Sequence, residues 1–324
     1  MSINLFKGLP ALIAALVMFT ISACSEAPKD PLRIASSPWP GYEPLYLARD
    51  LAYLDPEHIK LFELPSSDIT MESFRNKSTD LATLTLDETL ELIHDGTKMR
   101  ILLILDISNG ADAALVSPGI KDIKDIKGKR ISIVNIPLGM YVLSRLLEKA
   151  GLSRDEVKVY PMPESKQFDF YRQGKADVVV TFEPVKTMLL GQGAHVIFDS
   201  RDIPNEIFDL LVVHEDVYKN RREEICQIVK QWYKSLDYIA QHPDDAANRI
   251  SKRLNVKPSD FHKMLDEIKL PSRSENIQML SGDTPGLLAP AKKLNEIMVG
   301  EKQLTRTVDA SVALDNTFAT CHAE

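Results

Sequence analysis

The chain has 324 residues, 44% of them hydrophobic, with 39 Lys and Arg against 46 Asp and Glu for a net charge of -7. That length exceeds what one core usually supports, so two lobes are expected, and the modest charge is spread too evenly to give a basic stripe for nucleic acid. The three cysteines and seven scattered histidines form no zinc-type cluster, so no metal and no cofactor is expected.

Lys7 precedes an apolar stretch, Leu9 to Phe19, too short to span a membrane but right for the apolar region of a secretory signal. Ile21-Ser22-Ala23-Cys24 then resembles a bacterial lipoprotein cleavage box. On that reading residues 1–23 are a lipoprotein signal peptide, Cys24 carries lipid as the first mature residue, and 24–30 form a polar linker. An ordinary signal peptide with a chance cysteine fits less well. Ser25, where an aspartate would retain the protein, is the pattern of lipoproteins passed to an outer membrane. Cys226 and Cys321 remain, and in an oxidising envelope they either form one disulfide pinning the C-terminal tail or stay as two buried thiols.

Leu32 to Ala35 reads as a buried strand, followed by the loop Ser36-Ser37-Pro38-Trp39-Pro40-Gly41-Tyr42 and a helix whose face is Leu45, Leu47, Ala48 and Leu51. Pro38 and Pro40 stiffen the loop, Gly41 permits a turn, and Pro44 suits a first helical turn. Strands are expected at Ile59 to Leu64, Leu81 to Leu86 and Met99 to Leu105, with helices at Asp68 to Phe74 and Thr89 to Ile93 between them. Ala113 to Val116 resumes an extended run. A short helix at Ile120 to Ile126 and a strand at Arg130 to Val134 come next, then a helix opened by Pro137-Leu138-Gly139. Strands follow at Val157 to Tyr160, Ala176 to Val180, Val196 to Phe198 and Leu210 to Val213, with helices around Phe168 and from Pro184 to Leu190. From Arg222 onward the strands stop and helices punctuated by Pro243, Pro258 and Pro271 take over, up to a last one at Pro290 to Val299. Such alternation implies mostly parallel sheets covered by helices.

In open α/β sheets ligands bind at the carboxyl ends of strands, and the groups expected there are unusual. Trp39 and Tyr42 follow the first strand, Asp87 the third, Asp106 to Asp112 the fourth, Pro137 to Tyr141 a later one and Thr181 to Glu183 another, with Asp209 at a strand start. Each acid alone also fits a surface charge or, for Asp87, a helix cap. As a set, acids without basic companions favour a ligand carrying an amine or several donors. The helix after Pro137 offers free amides to an anion, so a zwitterion would suit both features. No nucleophile elbow, phosphate loop or zinc helix is present.

Trp39-Pro40-Gly41-Tyr42-Glu43-Pro44-Leu45-Tyr46-Leu47-Ala48, Asp122 to Arg130, Phe182-Glu183-Pro184 and Phe208 to Val213 together resemble the substrate-binding proteins of ABC importers, in the group that takes up nitrate, sulfonates, taurine and thiamine-pyrimidine precursors. The resemblance spans roughly Leu32 to Tyr238. It implies an α/β, two-lobed periplasmic binding protein fold of type II. Lobe 1 would be discontinuous, 31–112 and 210–300, lobe 2 would be 113–209, each a mostly parallel sheet flanked by helices, and 301–324 a tail. It further implies ligand contacts from Trp39, Tyr42, Asp87, Ser108, Asn109, Asp112 and Asp209, facing Pro137, Gly139, Tyr141 and Glu183. The sequence departs from the sulfonate and nitrate branches in having no basic group on these loops, and it lacks the cysteine-rich motif of the pyrimidine-synthesising relatives.

The expected protein is therefore a monomeric, lipid-anchored solute receptor on the periplasmic face of a bacterial envelope. It would capture a small nitrogen-containing or zwitterionic molecule, a sulfonate type included, and hand it to an ABC permease without chemistry. The alternatives are a ligand sensor for a signalling partner and, further off, a pyrimidine-synthase-like enzyme.

Overall fold

The computed structural model describes residues 30–314 and residue 321. The signal segment, Cys24 and nearly all of the linker thus lie outside the described residues, as do 315–320 and 322–324 of the tail. In the first part of the chain β1 (Leu32–Ser36), α1 (Glu43–Asp50), β2 (Ile59–Glu63), α2 (Ser67–Arg75), β3 (Leu81–Thr85), α3 (Leu86–His94) and β4 (Met99–Ser108) follow one another. Then come β5 (Ala113–Val116), β6 (Arg130–Val134), α4 (Pro137–Ala150), β7 (Lys158–Met162), α5 (Glu164–Arg172), β8 (Val178–Thr181), α6 (Val185–Leu190) and β9 (His195–Asp199). β10 (Phe208–His214), α7 (Glu215–Asn220), α8 (Arg222–Gln241), α9 (Pro243–Leu254), α10 (Pro258–Asp266), β11 (Ile268–Lys269), α11 (Arg273–Leu280) and α12 (Leu288–Gly300) complete the order.

These strands build two sheets, one ordered β11-β4-β10-β3-β1-β2 and the other β7-β6-β8-β5-β9. Their central strands are buried on both faces because the sequence supplies nearly continuous apolar runs, Leu81 to Leu84 with Thr83 its one polar member, Ile101 to Leu105 and Leu210 to Val213, that helices cover from each side. The sheets are mixed rather than mostly parallel. β1 pairs in parallel with β2 and β3, and β6 with β7 and β8, whereas β10 runs against β3 and β4, and β5 against β8 and β9. Geometry explains the reversal, since β5 and β10 are the first strands after the chain passes from one sheet to the other. A chain leaving one sheet at the carboxyl ends of its strands enters the next at that same face, so its first strand must run away from the junction. That placement brings Asp112 and Asp209, at or near the starts of β5 and β10, to the same face as the carboxyl ends of β1, β3, β6 and β8.

Ser108, expected at a ligand, instead stitches the two passages together. Its hydroxyl lies 2.7 Å from that of Ser200, and its N–H donates to the carbonyl of Ile207 at 3.1 Å. The amides of Gly110 and Ser200 donate to Ser200 Oγ (2.6 Å) and to the Asp112 carbonyl (2.9 Å). Two-residue β11, pairing with the end of β4, falls where only helices were expected, because Ile268 and Lys269 are too short a run to show alternation.

Cys226 on α8 and Cys321 are bonded, with Cα atoms 4.9 Å apart, so of the two sequence alternatives the disulfide holds the end of the tail on α8. Behind the opening loop, Arg253 of α9 reaches the buried Glu43 at 2.7 Å and stacks 3.5 Å from the centre of the Tyr46 ring, fixing α1.

Candidate functional site

Trp39 and Tyr42 project from the end of β1 into the junction between the sheets, and each is tied down by an acid from beneath. Trp39 Nε1 donates to Asp106 Oδ2 at 2.9 Å, and the Tyr42 hydroxyl donates to Asp209 Oδ1. Asp106 and Asp209 are direct partners across the β4–β10 ladder, so two buried carboxyls stand side by side within the strands rather than on loops. Gly41 lets this happen. A Cβ there would overlap Asp106 Oδ2 and crowd Trp39 Nε1, so the glycine is set by close approach and not by a turn requiring positive φ. Gly41→Ala is expected to displace Asp106 and destabilise the protein by about 1–3 kcal/mol, measured by urea unfolding.

Around these groups lies an inner cavity of about 30 Å³, lined by Trp39, Tyr42, Asp112 and Asp209 together with Ser37, Pro38, Ser67, Thr85, Ile136, Leu138 and Phe182. Phe182, from the end of β8, meets Trp39 edge-on with ring centres 5.9 Å apart, so aromatics from both sheets close the space. Outward the cavity widens into a cleft of about 600 Å³ between Pro65 to Ile69 on one side and Val134 to Ile136, Pro163 to Ser165 and Pro184 to Val185 on the other. No lysine, arginine or histidine lines either space.

Electrostatically the floor is a set of buried acids. Burial pushes Asp112 up to about 6, against the pull of the Ser108 hydroxyl and the Lys186 ammonium. Burial, then the neighbouring Asp112 charge, pushes Asp106 up to about 7, opposed by the Trp39 hydrogen bond. Asp209 is raised well above the carboxylate range by burial and by Asp106, and Asp87 to about 8 by burial and Glu88. Burial and Asp209 likewise keep the Tyr42 phenol protonated. Asp87 Oδ2, Asp106 Oδ1 and Asp112 Oδ2 have no hydrogen-bond partner, and of these residues Asp112 lines the cavity. Among the described residues no cluster of acids, histidines and cysteines has the geometry to hold a metal ion.

The other expected contacts lie elsewhere. Asp87 is buried in the first turn of α3, where Thr85 occupies the cap position and Glu88 accepts from the Thr85 amide at 3.0 Å. Glu183 caps α6, accepting from the amide and hydroxyl of Thr187 at 3.1 and 3.0 Å. Tyr141 donates to Glu206 at 2.5 Å, the Pro137 carbonyl accepts from Gln303 at 3.0 Å, and neither residue lines the cavity or the cleft. Asn109 is exposed, its amide donating to the Glu267 carbonyl. Gly139 packs the first turn of α4 on β6, where a Cβ would overlap the Val134 carbonyl, rather than making room for a ligand.

The acids also have a cation that the loops alone did not reveal. Lys186, 1% exposed, donates to the Gly110 carbonyl at 2.9 Å and pairs with Glu267, joining α6 to the first passage and to the approach to β11. Its signal was its position on the same helical face as Val185 and Leu189, both buried. Ser67 and Thr85 were missed because a single hydroxyl at a helix start carries no pattern of its own.

Residues 39–246, beginning at Trp39 itself, match the family described as NMT1/THI5 like. The chain belongs to the NMT1/THI5-like family. Among solved structures, this family member is similar to the periplasmic aliphatic sulphonate binding protein SsuA from Escherichia coli, with a TM-score of 0.74 at 16% identity over 90% of this chain and 99% of that one. SsuA from Xanthomonas axonopodis pv. citri, an alkanesulfonate-binding protein solved with MOPS, gives 0.72 at 16% identity over 88% and 98%. The desulfurization enzyme DszB gives 0.68 at 15% identity over 91% and 99%. These likenesses establish the two-lobed binding-protein fold for this NMT1/THI5-like chain, and DszB shows that the same fold also carries an enzyme. No curated protein sequence matches the chain.

Proposed function

We propose that this protein is the solute-binding component of an ABC importer, tethered to the periplasmic face of the envelope through lipid on Cys24, and that it captures a small cationic or zwitterionic nitrogen compound between its two sheets. The observation that carries the reading is Asp112, buried at the cavity wall with an unpaired oxygen and no basic side chain lining the space. A carboxylate in that position is stabilised by a ligand's N–H donors and repels an oxyanion. The paired passages at 108–112 and 200–207 form the hinge about which the lobes close, and Trp39 and Phe182 meet over the bound solute.

Titration calorimetry of the full chain against amines, zwitterions, pyrimidines and sulfonates tests this. Binding by amines with the compound recovered unchanged is the expected result; binding by sulfonates alone contradicts it, and a chemically altered product would instead favour the enzyme reading that DszB shares by fold. Trp39→Ala should weaken an amine about tenfold, since a tryptophan face contributes roughly 1 kcal/mol or more to a desolvated cation.

A further inference from the structure

The inner cavity and the outer cleft are one continuous space that shares Ser37, Pro38, Ser67, Ile136 and Phe182. At its inner end Asp112 is 2% exposed with Oδ2 unpaired. At its outer end stand Asp68 on α2 and Glu164 on α5, neither held in an ion pair among the described residues. Between the two ends the walls combine apolar Pro38, Ile136 and Phe182 with Ser37 and Ser67. The N-termini of α2 and α5 open on the outer cleft without a side-chain cap, a feature that by itself draws anions. Each helix, however, places its own acid in the first turn, Asp68 and Glu164, which offsets the dipole and leaves the cleft negative. Burial alone holds Glu164 up at about 7, so a cation arriving beside it would drive out the proton.

We propose that the solute is an extended dication, a linear diamine or polyamine, with one ammonium against Asp112 in the inner cavity and a second beside Glu164 and Asp68 in the outer cleft. The proposal rests on the cationic-solute reading above and narrows it. Size supports the narrowing. The inner part, about 30 Å³, holds roughly two water-sized groups, enough for an ammonium head, while a methylene chain fits against Ile136 and Phe182.

Calorimetric titration of the full chain with butylamine, putrescine and γ-aminobutyrate, which share a four-carbon chain and differ at its far end, tests the assignment. Putrescine is expected to bind about tenfold tighter than butylamine or better, with γ-aminobutyrate the weakest. Glu164→Gln should narrow the gap between putrescine and butylamine, with Asp68 left to hold the second ammonium in part. Butylamine binding as tightly as putrescine, or γ-aminobutyrate binding tightest, overturns the dication and leaves a receptor for amines standing. Binding of none of the three with a sulfonate bound instead overturns the cationic reading itself.

Discussion

Asp112→Asn is expected to lower affinity for a cationic solute on the order of a hundredfold and, in the same protein, to raise the ligand-free melting temperature near pH 8. The two effects have one cause. In the empty protein Asp112 is a buried carboxylate with an unpaired oxygen, so ionising it costs desolvation energy that Ser108 and Lys186 offset only in part and a ligand's charge would offset further. Asparagine keeps the shape and removes the charge, which relieves the empty state and leaves the ligand's ammonium with a weaker partner. Calorimetry and thermal melts on the variant read both effects. Unchanged affinity would mean that the solute is anchored elsewhere.

The ligand-free protein is also expected to lose stability, by at least about 2 kcal/mol, as pH rises from about 5 to about 8. Asp112, Asp106 and Asp87 are held near 6, 7 and 8 respectively, chiefly by burial, far above an ordinary aspartate. The folded chain therefore keeps protons in this window that the unfolded chain has already released. Their stabilising contribution is fully present below the unfolded value and is lost as pH climbs through the folded ones. Glu156 and Glu275, drawn down to about 2 chiefly by their lysine partners, act in the opposite sense, but mainly below the window. A bound cation reverses the slope by favouring the ionised acids, so the stabilisation it confers should grow with pH. Urea unfolding with and without ligand checks this, and a ligand-free stability that stays flat or rises from pH 5 to pH 8 would contradict the account.

The alternation of apolar runs made the fold legible because strands buried on two faces and helices buried on one leave different periods in the sequence. The aromatic loop and the acids stood out for a second reason: Trp39, Tyr42, Asp112 and Asp209 are large aromatic or charged residues set directly beside buried apolar strands. What the sequence could not show was direction and depth. Asp106 and Asp209 lie inside strands, and their pairing depends on a register that only the reversed β10 creates. Glu183 and Asp87 have the right type in the right neighbourhood, yet Glu183 is turned to the backbone of α6 and Asp87 is buried in the first turn of α3 away from the cavity lining. Lys186 and Glu267 are 81 positions apart and meet because the chain passes twice between the sheets.

Whether this pocket takes positive charge is read from the mass of the small molecule that co-purifies with the full chain. A compound with at least one protonated amine, released on denaturation and rebound at neutral pH, is the expected result. A sulfonate, or any other net anion, released from the same preparation would contradict it.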